Sequence, residues 1–180
     1  WENTPRFEPE PIESLELEYD FNFLMVSQAS PRKNFADALN WWVEEFIDQE
    51  VGLVVKTFAK GGSVIDRTHA RRMLKGILSK YENRQCKIYL LHGDMTDEEM
   101  HSLYKHKDIH CLVSLTHGEG FGLPLFEAAY SGLPVLATDW SGHVDFLYAP
   151  DKKKTKKSKN KMIPYFAKVN HEMGKVQPQS

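Results

Sequence analysis

Cysteine is scarce in this 180-residue chain: the two present, Cys86 and Cys111, each lie beside or within a short apolar run. That usage excludes a disulfide-stapled scaffold and suits reduced thiols in a core. No apolar stretch approaches the roughly 18 to 20 residues that a membrane-crossing helix needs, and the chain shows no signal-peptide pattern and no Asn-x-Ser/Thr acceptor. Charge of one sign is not in excess either. The formal net charge is −2 and the pI about 6.5, which argues against a general nucleic-acid binder. The eight histidines include no HExxH pair and no Cys/His ligand set, so no metal is expected. No GxGxxG follows the first apolar run, which leaves a dinucleotide-dependent enzyme without its fingerprint. A cytoplasmic protein with no indicated membrane association is the expectation that fits these absences.

What is present suffices for one core: 41% of the residues are hydrophobic and 12% aromatic. Residues 1–20 are rich in Pro and Glu and read as a linker or N-terminal extension. The chain starts at Trp1 with no domain-sized stretch ahead of it and is expected to be part of a longer protein. Residues 21–27 (FNFLMVS) read as a strand buried on both faces. A helix is expected over 34–47, because Phe35, Leu39, Trp42, Val43 and Phe46 fall on one stripe. A strand over 52–58 and a glycine loop over 59–63 follow, then a basic helix over 66–81 with Met73, Leu74, Ile77 and Leu78 inward. Residues 87–91 make a third strand and 92–95 a turn; Thr96 then caps a helix with acids in its first turn, whose Met100, Leu103 and Tyr104 face the core.

Two more strands, over 111–115 and 134–138, flank a helix over 123–130, and 141–147 adds a helical turn. Five strands alternating with helices predict an α/β fold, a Rossmann-like doubly wound parallel β-sheet flanked by helices, over residues 21–150. Residues 151–161 (DKKKTKKSKNK) have almost nothing to bury and are expected to form a basic, flexible, solvated loop. Residues 162–180 then complete the same domain, with a returning strand over 161–169.

The most informative stretch is HGEGFGLPLFEAAY, between the last two of the five strands. Gly118, Gly120 and Gly122 alternate with His117, Glu119 and Phe121, so backbone can approach a ligand while polar side chains project from the same turn. Pro124 sits at the helix start, where a missing N–H is harmless, and the free amides there face any anion beyond the strand ends. Glu127 lies one turn inside, with seven residues between it and Glu119. Two carboxylates could also be the acid and nucleophile of a glycosidase. Sequence spacing gives no such distance, and the strand–loop–helix–strand setting argues against it.

The string EGFGLPLFEA resembles the Glu-x7-Glu signature of retaining, nucleotide-sugar-dependent glycosyltransferases of the GT-B fold, in the manner of glycosyltransferase family 4, and the likeness covers roughly residues 21–147. The resemblance implies one half of a GT-B fold: the C-terminal, donor-binding domain of a hexosyltransferase-type enzyme in glycan biosynthesis. It implies a nucleoside diphosphate sugar as donor substrate, no further cofactor, and an N-terminal domain elsewhere that binds the acceptor, without which this domain is inactive.

By the same resemblance Glu119 contacts the donor sugar hydroxyls and Glu127 the ribose hydroxyls. The backbone of Gly120, Phe121, Gly122 and Leu123 meets the sugar and phosphates, and His117 lines the pocket. After the first strand the family carries Gly-Arg and, several residues later, a Lys, which together hold the diphosphate. Lys33 matches that lysine and joins Glu119 as a catalytic candidate, but Gln28 stands where the arginine would be. The departing diphosphate is thereby one cation short. Arg32 is expected to be solvated. Gly93, in the turn His92-Gly93-Asp94-Met95, matches the turn on which the nucleotide base rests. The turn of Trp140, Ser141 and Gly142, with His143 and Asp145 following, is expected to shape the pocket floor. Gln28 is also the best argument for the alternative, a non-catalytic nucleotide-sugar or carbohydrate binding module.

Overall fold

A computed structural model of the chain describes residues 15–58, 63–151 and 162–174. In chain order the elements are β1 (Asn22–Val26), α1 (Phe35–Glu45), β2 (Gly52–Thr57), α2 (Val64–Leu78), β3 (Lys87–His92), α3 (Asp97–Tyr104), β4 (Cys111–Ser114), α4 (Leu123–Tyr130), β5 (Val135–Thr138), α5 (Val144–Leu147), β6 (Tyr148–Pro150), β7 (Met162–Pro164) and β8 (Ala167–Val169). Six strands form one sheet in the order β3-β2-β1-β4-β5-β8, every pairing parallel.

The sheet is buried on both faces, which is why its strands read as continuous apolar runs rather than alternations. Leu24 and Val54 point to the face covered by α3 and α4, where Leu103, Tyr104, Leu125 and Ala128 meet them. Phe23, Met25, Leu53 and Val55 point to the other face, against Phe35, Leu39, Trp42 and Val43 of α1 and Leu74 of α2. Each such side chain contributes about 1.5 to 3 kcal/mol on burial, so the two layers hold the strand ends in fixed register. Phe46, expected in the α1 stripe, lies just past the helix end and is partly buried against Phe23 and Trp42.

The strand expected over 161–169 is broken in two. β7 pairs antiparallel with β6, an element the sequence reading did not contain, and β8 adds a sixth strand beside β5. Pro164 has no N–H to continue a ladder. Beyond it Tyr165 donates to the carbonyl of Leu147 at 2.8 Å and Phe166 turns into the core. At the other end, Leu15 and Leu17 pack against the α3/α4 side of the core and the Tyr19 hydroxyl donates to the Gln85 carbonyl at 2.7 Å. The basic stretch beyond Asp151 and most of the expected glycine loop lie outside the described residues.

β1 and β4 are neighbours, yet the chain leaves β1 toward α1 on one face and β4 toward α4 on the other. This is the point at which the strand order reverses, and the carboxyl ends of the strands there are the usual ligand position in such a sheet.

Candidate functional site

The loop after β1 enters a 3-10 turn at Pro31–Lys33, and Asn34 takes a left-handed backbone (φ 52°) between this turn and α1. Asn is among the few residues other than Gly that adopt this conformation readily. Its buried side-chain amide donates to the Leu115 carbonyl at 2.9 Å, tying the loop after β1 to the end of β4. Lys33 is thereby carried over the glycine loop. Its Nζ lies 2.5 and 2.6 Å from Oε1 and Oε2 of Glu119, 86 residues away in sequence. Both side chains are well shielded, with 15% and 9% of their surface exposed, so the pair interacts through less water than a surface ion pair. Arg32 is exposed, yet its guanidinium donates to the Gly118 carbonyl at 3.3 Å and so also engages the glycine loop. Gln28 is exposed in the segment that directly follows β1.

The backbone of Glu119 is held from the loop after β5. Ser141 Oγ accepts from the Glu119 N–H at 2.8 Å and donates to the Glu119 carbonyl at 2.7 Å, and Gly142 N–H donates to the same carbonyl at 3.1 Å. Ser141 is itself left-handed, with φ 86°. Gly142 allows the close approach: a Cβ there would stand 1.8 Å from the Gly120 carbonyl oxygen. Trp140 Nε1 donates to the His117 carbonyl at 3.3 Å, and His143, buried, donates from Nε2 to the Thr138 carbonyl at 2.7 Å. The turn expected as a pocket floor is thus a clamp on the glycine loop, a role for Ser141 that no spacing in the sequence announces.

Gly122 caps α4 at φ 85°, where a side chain would be strained and would also press on His143 at 3.0 Å. Phe121 and Leu123 are exposed on the rim, the Phe121 ring resting against Phe126 and Phe146. His117 faces the α1 side, where it lines a cavity of about 290 Å³ with Asn34, Asp37 and Met73. A shallower depression of about 470 Å³, lined by residues that include His106, His110 and Pro134, lies at the amino-terminal ends of β4 and β5, away from all of these groups.

Glu127 meets a partner the sequence reading assigned only to the core: the Tyr104 hydroxyl donates to its Oε2 at 2.9 Å. Burial raises the Glu127 carboxyl above the usual carboxylate range, and the Tyr104 hydrogen bond pulls it partly back. Burial, followed by the Glu127 charge, pushes the Tyr104 hydroxyl far up, so it remains a donor. In the turn after β3, Gly93 has φ 114°, and its carbonyl accepts from Lys56 Nζ at the end of β2. His92 does not join that turn's open side; its Nε2 lies 2.9 Å from Asp66 Oδ2 on α2. Among the described residues no group of three or more His, Cys, Asp or Glu side chains is placed to hold a metal ion.

Residues 8–152 match the family profile described as Glycosyl transferases group 1. No curated protein matches the sequence. Similar solved structures include a trehalose-6-phosphate structure from E. coli bound with UDP-2-fluoro glucose, 12% identical, covering 71% of this chain and 31% of its own, with a TM-score of 0.54. An OtsA apo structure is 13% identical over 78% of this chain and 34% of its own, TM-score 0.55. A glycosyltransferase from Rickettsia africae ESF-5 is 18% identical over 74% of this chain and 32% of its own, TM-score 0.52. At such identities the likeness is one of fold, and the chain spans about a third of the length of these structures.

Proposed function

This chain belongs to the glycosyl transferases group 1 family, and we propose that it is the donor-binding domain of a retaining, hexosyltransferase-type enzyme that takes its sugar from a nucleoside diphosphate sugar. The observation that carries the reading is the joining of Lys33 to Glu119 at the carboxyl edge of the sheet, beside the first turn of α4. Two of the three Lys33 N–H groups serve the carboxylate, which leaves one for a diphosphate oxygen. Glu119, fixed by Lys33 and by the Ser141 clamp, accepts from the sugar hydroxyls. Glu127, one turn further along α4, accepts from the ribose, and the turn at Gly93 receives the base.

In the reaction the bond from the anomeric carbon to the diphosphate oxygen breaks and a bond to the acceptor oxygen forms, while the acceptor's proton passes to the departing diphosphate. No protein nucleophile is called for. The domain holds the donor and stabilises the negative charge that develops on the diphosphate, a contribution of several kcal/mol in a site shielded from water. The nucleotide sugar is the donor substrate and no further cofactor belongs to the proposal. The acceptor is assigned to a domain elsewhere in a longer protein.

The binding of UDP-2-fluoro glucose by one structure of like fold supports a nucleotide sugar as ligand. Calorimetric titration with a panel of nucleoside diphosphates and their sugar conjugates tests it. At least one diphosphate is expected to bind and to compete with its own conjugate; a chain that binds none of them contradicts the reading. Gln28 favours a second reading, a nucleotide-sugar binding module without catalysis, and turnover by the full-length protein separates the two.

A further inference from the structure

Three side chains of β2, Leu53, Val54 and Val55, are fully buried and apolar, and the next residue, toward the carboxyl end of the strand, is a lysine. Lys56 is 7% exposed and pairs in the ladder with Val26 of β1 and Leu91 of β3, the penultimate rung between β2 and β3. A methionine would fill the same volume without bringing an ammonium out of water, so packing alone does not account for the residue. Its one hydrogen-bond acceptor among the described residues is the Gly93 carbonyl.

Gly93 opens the turn between β3 and α3 at φ 114°, a conformation that L side chains rarely adopt. A Cβ built on it meets nothing within 4 Å. The turn is therefore held from the sheet side by Lys56 and open on the other, so a flat ring can lie directly on its backbone. Burial lowers the Lys56 ammonium's pKa, and the nearby Asp94 and Glu99 carboxylates oppose this by favouring its charged form.

We infer that Lys56 is a positioning residue for recognition of the nucleotide base: its ammonium fixes the carbonyl of Gly93, and with it the orientation of the backbone that the base rests on. The inference rests on the reading of this domain as a nucleotide-sugar site and adds the residue that governs which base is preferred. Lys56 acts through the turn and is not assigned a contact with the diphosphate, which Lys33 serves.

The test is calorimetric titration of UDP, GDP, ADP and inorganic pyrophosphate into the wild-type chain and into Lys56→Met and Lys56→Arg, with melting temperatures recorded for each. Lys56→Met is expected to weaken every nucleoside diphosphate that the wild type binds by about tenfold, as for a lost charge-assisted hydrogen bond, and to narrow the spread among the three bases. Pyrophosphate is expected to change by less than about twofold, and Lys56→Arg to restore most of the loss, because the guanidinium keeps both charge and donors. Equal weakening of pyrophosphate and the nucleotides overturns the inference, since it marks a phosphate contact or a general fold effect, and so does an unaltered base preference.

If Lys56→Met does not fold, Lys56→Gln carries the test, because it removes the ammonium that holds the Gly93 carbonyl while keeping a polar end on the side chain. The same selective loss supports the inference and a uniform loss overturns it. A wild type that binds no nucleoside diphosphate refutes the donor-domain reading and this inference together. A wild type that binds them while the folded variant lacking the Lys56 charge leaves the base preference intact refutes the inference alone.

Discussion

Glu127 is subject to two opposed influences, and pH separates them. Burial raises its carboxyl, so between its unfolded value and the raised folded value the native state binds more protons than the unfolded chain. Its contribution to stability is therefore fully present below the unfolded value and is lost as pH rises through the folded one. On the proposed assignment, ribose binding by the carboxylate is expected to run the other way and to strengthen across the same window. Glu127→Gln cannot ionise; at pH 8 it is expected to melt above the wild type, the difference closing as pH approaches 4. Thermal melts across that range check the sign, and a variant that melts lower at pH 8 contradicts it. Tyr104→Phe removes the donor that pulls the carboxyl back down. It should weaken nucleoside diphosphate binding at pH 7 by about 1 to 2 kcal/mol and move the binding midpoint to higher pH. Titrations at several pH values read both effects. Helical spacing announced that Tyr104 faces inward. It does not reveal which atom its hydroxyl meets, because that depends on how α3 and α4 lie against one another.

At the scale of elements the site is a clasp between two loops, after β4 and after β5, closed on the backbone of Glu119. Ser141 holds it with one hydroxyl and does so in a left-handed conformation that disfavours any side chain. Ser141→Ala and Ser141→Gly lose the same two hydrogen bonds, but only the glycine relieves the backbone. The glycine variant should be more stable than the alanine by about 1 kcal/mol in urea unfolding, with both binding nucleotide sugar more weakly than the wild type. Equal stability of the two would mean that no strain is held at this position. The helix of residues 123–130 was fully legible, since Gly122, Pro124 and the apolar run mark its start and extent. The division of residues 161–169 into β7 and β8 was not, because hydropathy carries no trace of which partner each half pairs with, and β6 is a three-residue strand ending in Pro150.

For the whole molecule, the alternation of apolar runs and helical stripes was enough to anticipate the doubly wound sheet. The contact of Lys33 with Glu119 was anticipated only as two members of one site, through the resemblance of the motif. The distance between them follows from the adjacency of β1 and β4, which local patterns do not encode. On the proposed reading, in which another domain binds the acceptor, these 180 residues are expected to bind nucleoside diphosphate without transferring sugar. A cleft formed by one domain leaves the diphosphate open to water, where its electrostatic stabilisation is weaker. Robust transfer by these 180 residues in a donor-consumption assay would contradict that.

The most direct measurement compares Glu119→Gln with Glu127→Gln, each titrated with a nucleoside diphosphate and with its sugar conjugate, after melting confirms that both variants are folded. Glu127→Gln should weaken both ligands, by about 1 to 3 kcal/mol. Glu119→Gln should weaken the sugar conjugate by a like amount and leave the bare diphosphate unchanged or bound more tightly, since the amide still accepts from Lys33 but no longer neutralises it. If Glu119→Gln costs as much for the bare diphosphate as for the conjugate, Glu119 does not hold the sugar and the account of the site is wrong.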